Sequence, residues 1–357
     1  MPESDALAER LAARTLELVD IASESRDEAA LATHVLELLR DNDVEVHDAG
    51  DTCILAGCTE RIGRPLVLLA GHLDTVPAQG NLPGSRDDDF VHGLGASDMK
   101  AALAVMVELA LGPPEGANVD LGFVFFGREE LPVAESALTP LLERQAGLRS
   151  ADLVLMMEPT ANAIQAGCLG NINATWSFQG RSGHSARPWL ADNAIHRAAE
   201  GIVALAAHPP VDHEFDGLVY TEVASVTQIH GGIAQNVVPD LAQAHVNFRY
   251  APGRSPEEAE SRLAEMCAGH GVLRVDSHAP SAPVATGNPL VQALRAAGDL
   301  AIEPKQAWTP IAEFAAAGID AVNFGPGDPA FAHGRDERVT IDALVRCHRT
   351  LEAFACA

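Results

Sequence analysis

The 357-residue chain carries 24 lysines and arginines against 50 aspartates and glutamates, a formal net charge of -26, with 47% hydrophobic residues. A chain of this length buries a substantial core and exceeds one ordinary compact domain, and its composition is that of a globular protein, not a disordered one. So large an acidic excess excludes nucleic acid and anionic membranes as main partners, because bulk repulsion opposes both, while a local group of arginines can still hold a small anion.

The six cysteines, Cys53, Cys58, Cys168, Cys267, Cys347 and Cys356, have no close repeated pair. They read as free thiols, not as a disulfide lattice or a zinc ribbon. The opening MPESDALAERLAARTLELVDIAS has no apolar signal core, and no uninterrupted apolar run reaches membrane-spanning length, so a cytoplasmic location is expected.

Along the chain, Leu11 to Val19 and the segment from Leu31 repeat apolar residues at helical spacing, with the polar turn SESRDE between them. The run Pro65 to Ala70 is compact and apolar and empties into HLDTVP, the profile of a buried strand entering a loop. The same grammar recurs at Leu121 to Phe126 before Glu129 and Glu130, at Leu153 to Met157 before Glu158, and at Val322 to Phe324 before Gly325 and His333. Helical stretches, notably DMKAALAVMVELAL and the segment after Thr340, separate these runs, which predicts a layered α/β domain. In such a domain, polar residues just past the carboxyl ends of strands gather at one edge of the sheet.

The middle differs. Alternation in NINATWSFQGRSGHSARP, a helix from Asn193 to Ala207, strand-like pieces at VYTEVASVTQIHGG and LAQAHVNFRYAP, and a helix from Ser255 to about Gly269 predict a separate two-layer α+β domain over 172–282. It is inserted into a discontinuous first domain, 1–171 and 283–357, because the metal-type residues lie on both sides of it.

His72 and Asp74 stand two apart after a strand, where a carboxylate can fix an imidazole that ligates a metal; a loop-capping hydrogen bond suits the same pair. Asp98 opens a helix and reads either as its cap or as a ligand, and as a bridging ligand it would leave capping to Ser97. Adjacent Glu129 and Glu130 suit a solvated turn or a division of labour, one carboxylate on a metal and its neighbour collecting a proton from water. Glu158, at a buried strand end, needs a partner, either a cation or a metal. His333 gains weight only beside the others. Together these two histidines and three acids, His72, Asp98, Glu130, Glu158 and His333, form the mixed oxygen and nitrogen donor set that suits a pair of divalent ions, zinc before cobalt or manganese.

The ordered set GHLDTVP, GLGASDMK, REE, MEPT, GRSGHSARPW, GGIAQNVVPD, NFRYAPGRSPEEAE and NFGPGDPAFAH closely resembles the M20 metallopeptidase family over nearly the whole chain. Within it, the resemblance points to the branch that removes succinate from N-succinyl-LL-2,6-diaminopimelate, a step toward lysine and peptidoglycan precursors. It implies a zinc-aminopeptidase-like catalytic domain with a mixed central sheet flanked by helices, and a middle domain that serves as lid and makes a homodimer. It implies one zinc on His72 and Glu158, another on Glu130 and His333, Asp98 bridging them, Asp74 orienting His72, and Glu129 as general base. His184 of HSARP is expected to reach the partner's active site, Asn236 and Arg249 to contact substrate, and Gly325 to line the cleft by its backbone. Arg181 and Arg187, with Arg249 and Arg335, suit a substrate bearing several carboxylates. Leu94, Cys168 and Pro310 depart from the family pattern, respectively where arginine, a basic residue and aspartate are usual. The same motifs also fit acetylornithine deacetylases, aminoacylases and metallocarboxypeptidases, and the fold alone fits a binding protein without turnover.

Overall fold

The computed structural model describes residues 3–357 and divides into two compact units, 3–166 with Ala285–Glu303 and Glu313–Ala357, and Gly167–Val284 with Pro304–Ala312. The first is built on a mixed eight-stranded sheet in the order Val46–Gly50, Cys53–Gly57, Asp120–Phe126, Leu66–His72, Leu153–Met156, Ala321–Asn323, Ile164–Ala166 and Ile302–Pro304. Asp120–Phe126, Leu66–His72, Leu153–Met156 and Ala321–Asn323 run parallel. Their carboxyl ends therefore open at a common edge.

Leu66–His72 is buried at every position, as a parallel strand covered on both faces must be. Each of its leucines and its valine contributes roughly 1.5–3 kcal/mol by leaving water. Helix Lys100–Leu111 is buried from Lys100 through Ala110, which matches its apolar content on all sides. Gly71 permits the close approach of strand to helix, since a Cβ there would lie 2.7 Å from Leu103 Cδ2 and 2.8 Å from Met99 Cε. The strand that ends in His72 is thereby seated directly against the segment that carries Asp98.

The second unit holds a five-stranded antiparallel sheet in the order Val211–Phe215, Leu218–Gly231, Leu241–Tyr250, Gly170–Gln179, Val272–Ala279. Burial alternates along Gly170–Gln179 and Leu241–Tyr250, two of its three inner strands. Ile172, Ala174, Trp176, Phe178, Val246 and Phe248 pack with residues of helices Ala194–Ala206 and Pro256–Met266. The other face is polar and presents Asn171, Asn173, Asn247 and Arg249. A capping box, Ser255 with Glu258, starts the second helix.

Pro304–Ala312 belongs to the second unit, whereas the sequence pattern assigns it to the first. Hydrogen bonds explain the difference: Leu169 N–H donates to the Ala307 carbonyl, Gln306 Nε2 to the Val219 carbonyl and Trp308 Nε1 to the Pro280 carbonyl. Strands Val211–Phe215 and Val272–Ala279 also lie outside the sequence-based expectation, because both are edge strands with no fully buried position. Among the described residues no helix is long and apolar enough to cross a membrane.

Candidate metal centre

The edge formed by the parallel strands collects His72 from the end of Leu66–His72, Glu129 and Glu130 past Phe126, and Glu158 two residues past Met156. Asp98 precedes helix Lys100–Leu111, and His333 lies in the loop after Ala321–Asn323. Arg128 and His333 adopt left-handed backbone conformations, φ 62° and 60°, uncommon for residues with a Cβ and often found at functional loops.

The geometry centres on Asp98. Its Oδ1 lies 3.1 Å from His72 Nε2 and its Oδ2 lies 3.4 Å from His333 Nε2, so each carboxylate oxygen faces a different imidazole. Glu158 Oε1 stands 3.9 Å from His72 Nε2, and Glu130 Oε1 3.0 Å from His333 Nε2. Ligand atoms of His72, Asp98 and Glu158 all fall within 4.8 Å of one another, and so do those of Asp98, Glu130 and His333. Two three-residue donor groups thus share one carboxylate, the arrangement a dinuclear centre requires.

The electrostatics fit cations as well. Burial, and then the Glu158 charge, push the Glu129 carboxyl well above the usual carboxylate range. Burial opposes charge on His72, but hydrogen bonds to Asp74 and Asp98 outweigh it and hold its pKa well above the ordinary imidazole value. Hydrogen bonds to Asp98 and then Glu130 raise His333 to about 10. Burial works to raise Asp98, yet the His333 and His72 hydrogen bonds bring it far below the usual range. The raised His72 and His333 and the raised Glu129 share a cause, acidic groups crowded together that favour added positive charge. Divalent ions would displace protons there and offset the charge more fully. The residues present therefore fit a pair of divalent metal ions.

Asp74 faces His72 and also a second pair of groups. The nearest group to His72 Nδ1 is the Asp74 main-chain carbonyl at 2.9 Å, with the carboxylate at 3.6 Å. The carboxylate also accepts the amide of Glu129 at 2.9 Å, that of Glu130 at 3.0 Å and the Ser25 hydroxyl at 2.8 Å. It therefore anchors the paired glutamates to the same short segment that orients His72.

Gly325 departs from its expected part. Its N–H donates to Thr160 Oγ1 and its carbonyl accepts from Asn162 N–H and the Thr160 hydroxyl. A Cβ at this glycine would lie 2.5 Å from the carbonyl oxygens of Met157 and Glu158. Its backbone hydrogen bonds go to the Thr160–Asn162 turn that follows Glu158.

Ser97 is not a helix cap: its hydroxyl donates to the Asp328 carbonyl, and helix Lys100–Leu111 has no side-chain cap. The amides of Gly95, Ser97 and Asp98 donate instead to the carboxylate of Glu337, at 3.0, 3.0 and 2.9 Å. Sequence reasoning missed Glu337, since RDER reads as a solvated charged turn; its position four residues past His333 was the available signal. Lys100 is buried too, donating from Nζ to the Ile21 carbonyl, and burial lowers its pKa to about 8 against the opposing charges of Glu337 and Asp20.

In the second unit, His184 lies on the short ribbon Gly183–His184, paired with Val237–Val238, and its Nδ1 accepts the Ala186 amide. Asn236 adjoins that ribbon, its carbonyl accepting from Ser185 N–H, so the fold brings His184 and Asn236 together. Arg181 and Arg187 are exposed, the first paired through its backbone with Asp192 and the second donating its amide to the His184 carbonyl. Arg249 stands on the polar sheet face, its Nε donating to Asn247 Oδ1, with Asn247 in turn bonded to Asn171 and Asn173. Burial lowers the Arg249 pKa, which marks a guanidinium partly withdrawn from water.

Comparison with known proteins agrees with this geometry. The profile of "Peptidase family M20/M25/M40" matches residues 68–357. The chain is 40% identical over 331 residues to a putative succinyl-diaminopimelate desuccinylase DapE of Mycobacterium tuberculosis, covering 92% of each chain. It is 35% identical over 350 residues to the succinyl-diaminopimelate desuccinylase of Corynebacterium glutamicum, covering 95% of this chain and 94% of the relative. Among solved structures, the aminopeptidase PepT of Bacillus cereus superposes with a TM-score of 0.79 at 22% identity over 98% of each chain, a likeness of fold.

Proposed function

The chain belongs to peptidase family M20/M25/M40 and is a metal-dependent amidohydrolase, and from that premise we propose that it hydrolyses N-succinyl-LL-2,6-diaminopimelate to succinate and LL-2,6-diaminopimelate. The observation that carries the chemistry is Asp98, with one oxygen toward each of two histidines that have their own carboxylate partners. His72 and Glu158 would hold one ion and Glu130 and His333 the other, with Asp98 between them; the mixed nitrogen and oxygen donors favour zinc. Bound there, such ions would supply Lewis acidity toward the amide carbonyl and lower the pKa of water.

The protein's own groups account for the proton traffic. Glu129 is tethered by its amide to Asp74, and its carboxyl is already biased toward holding a proton. It takes the proton of the attacking water and returns it to the departing amine, the two halves of general base and acid catalysis. His184, itself exposed on its short ribbon, is assigned to the oxyanion of a partner subunit's substrate. Arg249, with Asn236, is assigned to a substrate carboxylate, the partly desolvated guanidinium being suited to a carboxylate fork.

Homodimerisation through the second unit is part of this reading. Leu218–Gly231 pairs with Val211–Phe215 only along Leu218–Glu222, so among the described residues Val223–Gly231 has a sheet neighbour on one side only. Open strand edges of this kind pair with another chain unless covered. Trp189 and Ile233, 74% and 87% exposed, lie in the same unit.

A second reading, another N-acyl amino acid amidohydrolase, is favoured by one observation. Cys168, where a basic residue is usual, is a buried neutral thiol pushed up to about 11 by burial, and it supplies no cation to a succinyl carboxylate. Parallel assays of the zinc-loaded protein on N-succinyl-LL-2,6-diaminopimelate and N-acetylornithine separate the two. A higher kcat/KM for the succinyl substrate supports the first assignment, and preference for the acetyl substrate moves the protein to the second.

A further inference from the structure

We propose that Glu337 is the positioning residue of the bridging carboxylate: its side chain gathers the amides of Gly95, Ser97 and Asp98 and thereby aims one oxygen of Asp98 at each histidine. This rests on the dinuclear reading above and adds a residue that is not itself a ligand.

Glu337 is 2% exposed, and both its oxygens are used, Oε2 by Gly95 N–H and Oε1 by Ser97 and Asp98 N–H. Three amides within four residues turned toward one anion fix the path of the backbone through that turn, and the last of them is the amide of Asp98 itself. No side chain caps helix Lys100–Leu111, and the helix holds this turn only from the carbonyl side, through Lys100 N–H to the Gly95 carbonyl at 2.7 Å, which leaves the amides of Gly95, Ser97 and Asp98 to Glu337. Glu337 also follows His333 by four residues. One side chain therefore joins the loop of one ligand to the loop of the ligand both ions share.

The two segments are held together without this side chain. Arg338–Thr340 pairs with Phe90–His92, Gly93 N–H donates to the Glu337 carbonyl, and Ser97 Oγ donates to the Asp328 carbonyl. Gln79 Nε2 and Asn81 Nδ2 donate to the carbonyls of His333 and Gly334. Bringing the loops near each other is thus the work of backbone and neutral side chains, and what Glu337 adds is the orientation of the Gly95–Asp98 turn. Second partners of this kind typically change metal affinity or activity by about 10–100-fold when altered.

Glu337→Gln keeps the size of the side chain and one acceptor oxygen, which can still serve Ser97 and Asp98, but it faces Gly95 N–H with an amide donor. The test is a Co²⁺ titration of the metal-free full-length protein, read by visible absorption, for wild type, Glu337→Gln, Asp98→Ala and the double variant. Glu337→Gln is expected to weaken binding of at least one ion by about 10–100-fold and to alter the Co²⁺ spectrum, with kcat reduced and KM unchanged. In the Asp98→Ala background the same substitution is expected to change affinity less than about twofold, because the group it positions is gone.

Equal affinity and spectrum for wild type and Glu337→Gln would overturn the proposal, and so would a loss of the same size with Asp98 already removed, which a general structural role produces. Should Glu337→Gln lower the melting temperature of the metal-free protein, the double-variant comparison still decides, since a fold defect persists in both backgrounds. A wild-type curve saturating below two ions contradicts the dinuclear reading, and the affinity ratio between wild type and Glu337→Gln then still reports on Glu337.

Discussion

The two units place their polar groups in opposite ways. In the first, four candidate ligands stand at or just past the ends of buried parallel strands or at the entrance of a buried helix, a fifth, His333, lies in an exposed loop, and each is within a few ångströms of another. In the second, His184, Asn236, Arg181 and Arg187 are exposed, and Arg249 is braced on a sheet face by neutral asparagines. The difference teaches where each kind of chemistry is completed. A cluster that holds charge close together is preorganised by the elements that carry it, whereas the groups proposed to meet a substrate stand open to solvent.

The sharpest way to break this contrast is Glu129→Gln, expected to lower kcat by about 10²–10⁴-fold while metal content, measured by elemental analysis, stays at the wild-type level. Metal loss in that variant would make Glu129 part of the preorganised centre and not its proton carrier. Next is His184→Ala, expected to lower kcat by about 10²–10³-fold, again with metal retained. Mixing it with Glu129→Gln subunits should restore activity, because one active site of the hybrid then has an intact base and a donated histidine; no recovery on mixing would place His184 in its own subunit's chemistry.

Arg249→Ala should lower kcat/KM by about 10–100-fold, mainly through KM, with Arg249→Lys intermediate since lysine lacks the bidentate fork. The smallest effect is on stability. His333, raised to about 10 by Asp98 and Glu130, stabilises the metal-free fold fully below its unfolded value near 6.5, and that contribution fades as pH rises through 10. Thermal melts of metal-free protein should therefore fall between those limits, and metal-loaded protein, whose ions replace the protons, should fall less.

Much of the first unit was legible because its chemistry follows strand ends. Apolar runs that stop abruptly at His72, Glu129 and Glu158 mark both the buried strand and the edge where its successor residue must lie. What hydrogen bonds decide was not legible. RDER looks like a solvated turn until the fold buries Glu337 against three amides, and the sequence gives no sign that the Asp74 carboxylate, besides facing His72, also holds the amides of Glu129 and Glu130. Gly325 looks like a cleft residue until its neighbours Met157 and Glu158 crowd it. Pro304–Ala312 carries no pattern of its own and is assigned by the partners of Ala307, Gln306 and Trp308.

The most direct test is succinate release from N-succinyl-LL-2,6-diaminopimelate by the full-length protein loaded with two equivalents of zinc, measured beside Glu129→Gln at matched metal content. Saturable release by the wild type that collapses in the variant is the predicted result. Absence of release from a protein shown to hold both ions would contradict the proposed substrate, and equal release by the two proteins would contradict the role of Glu129.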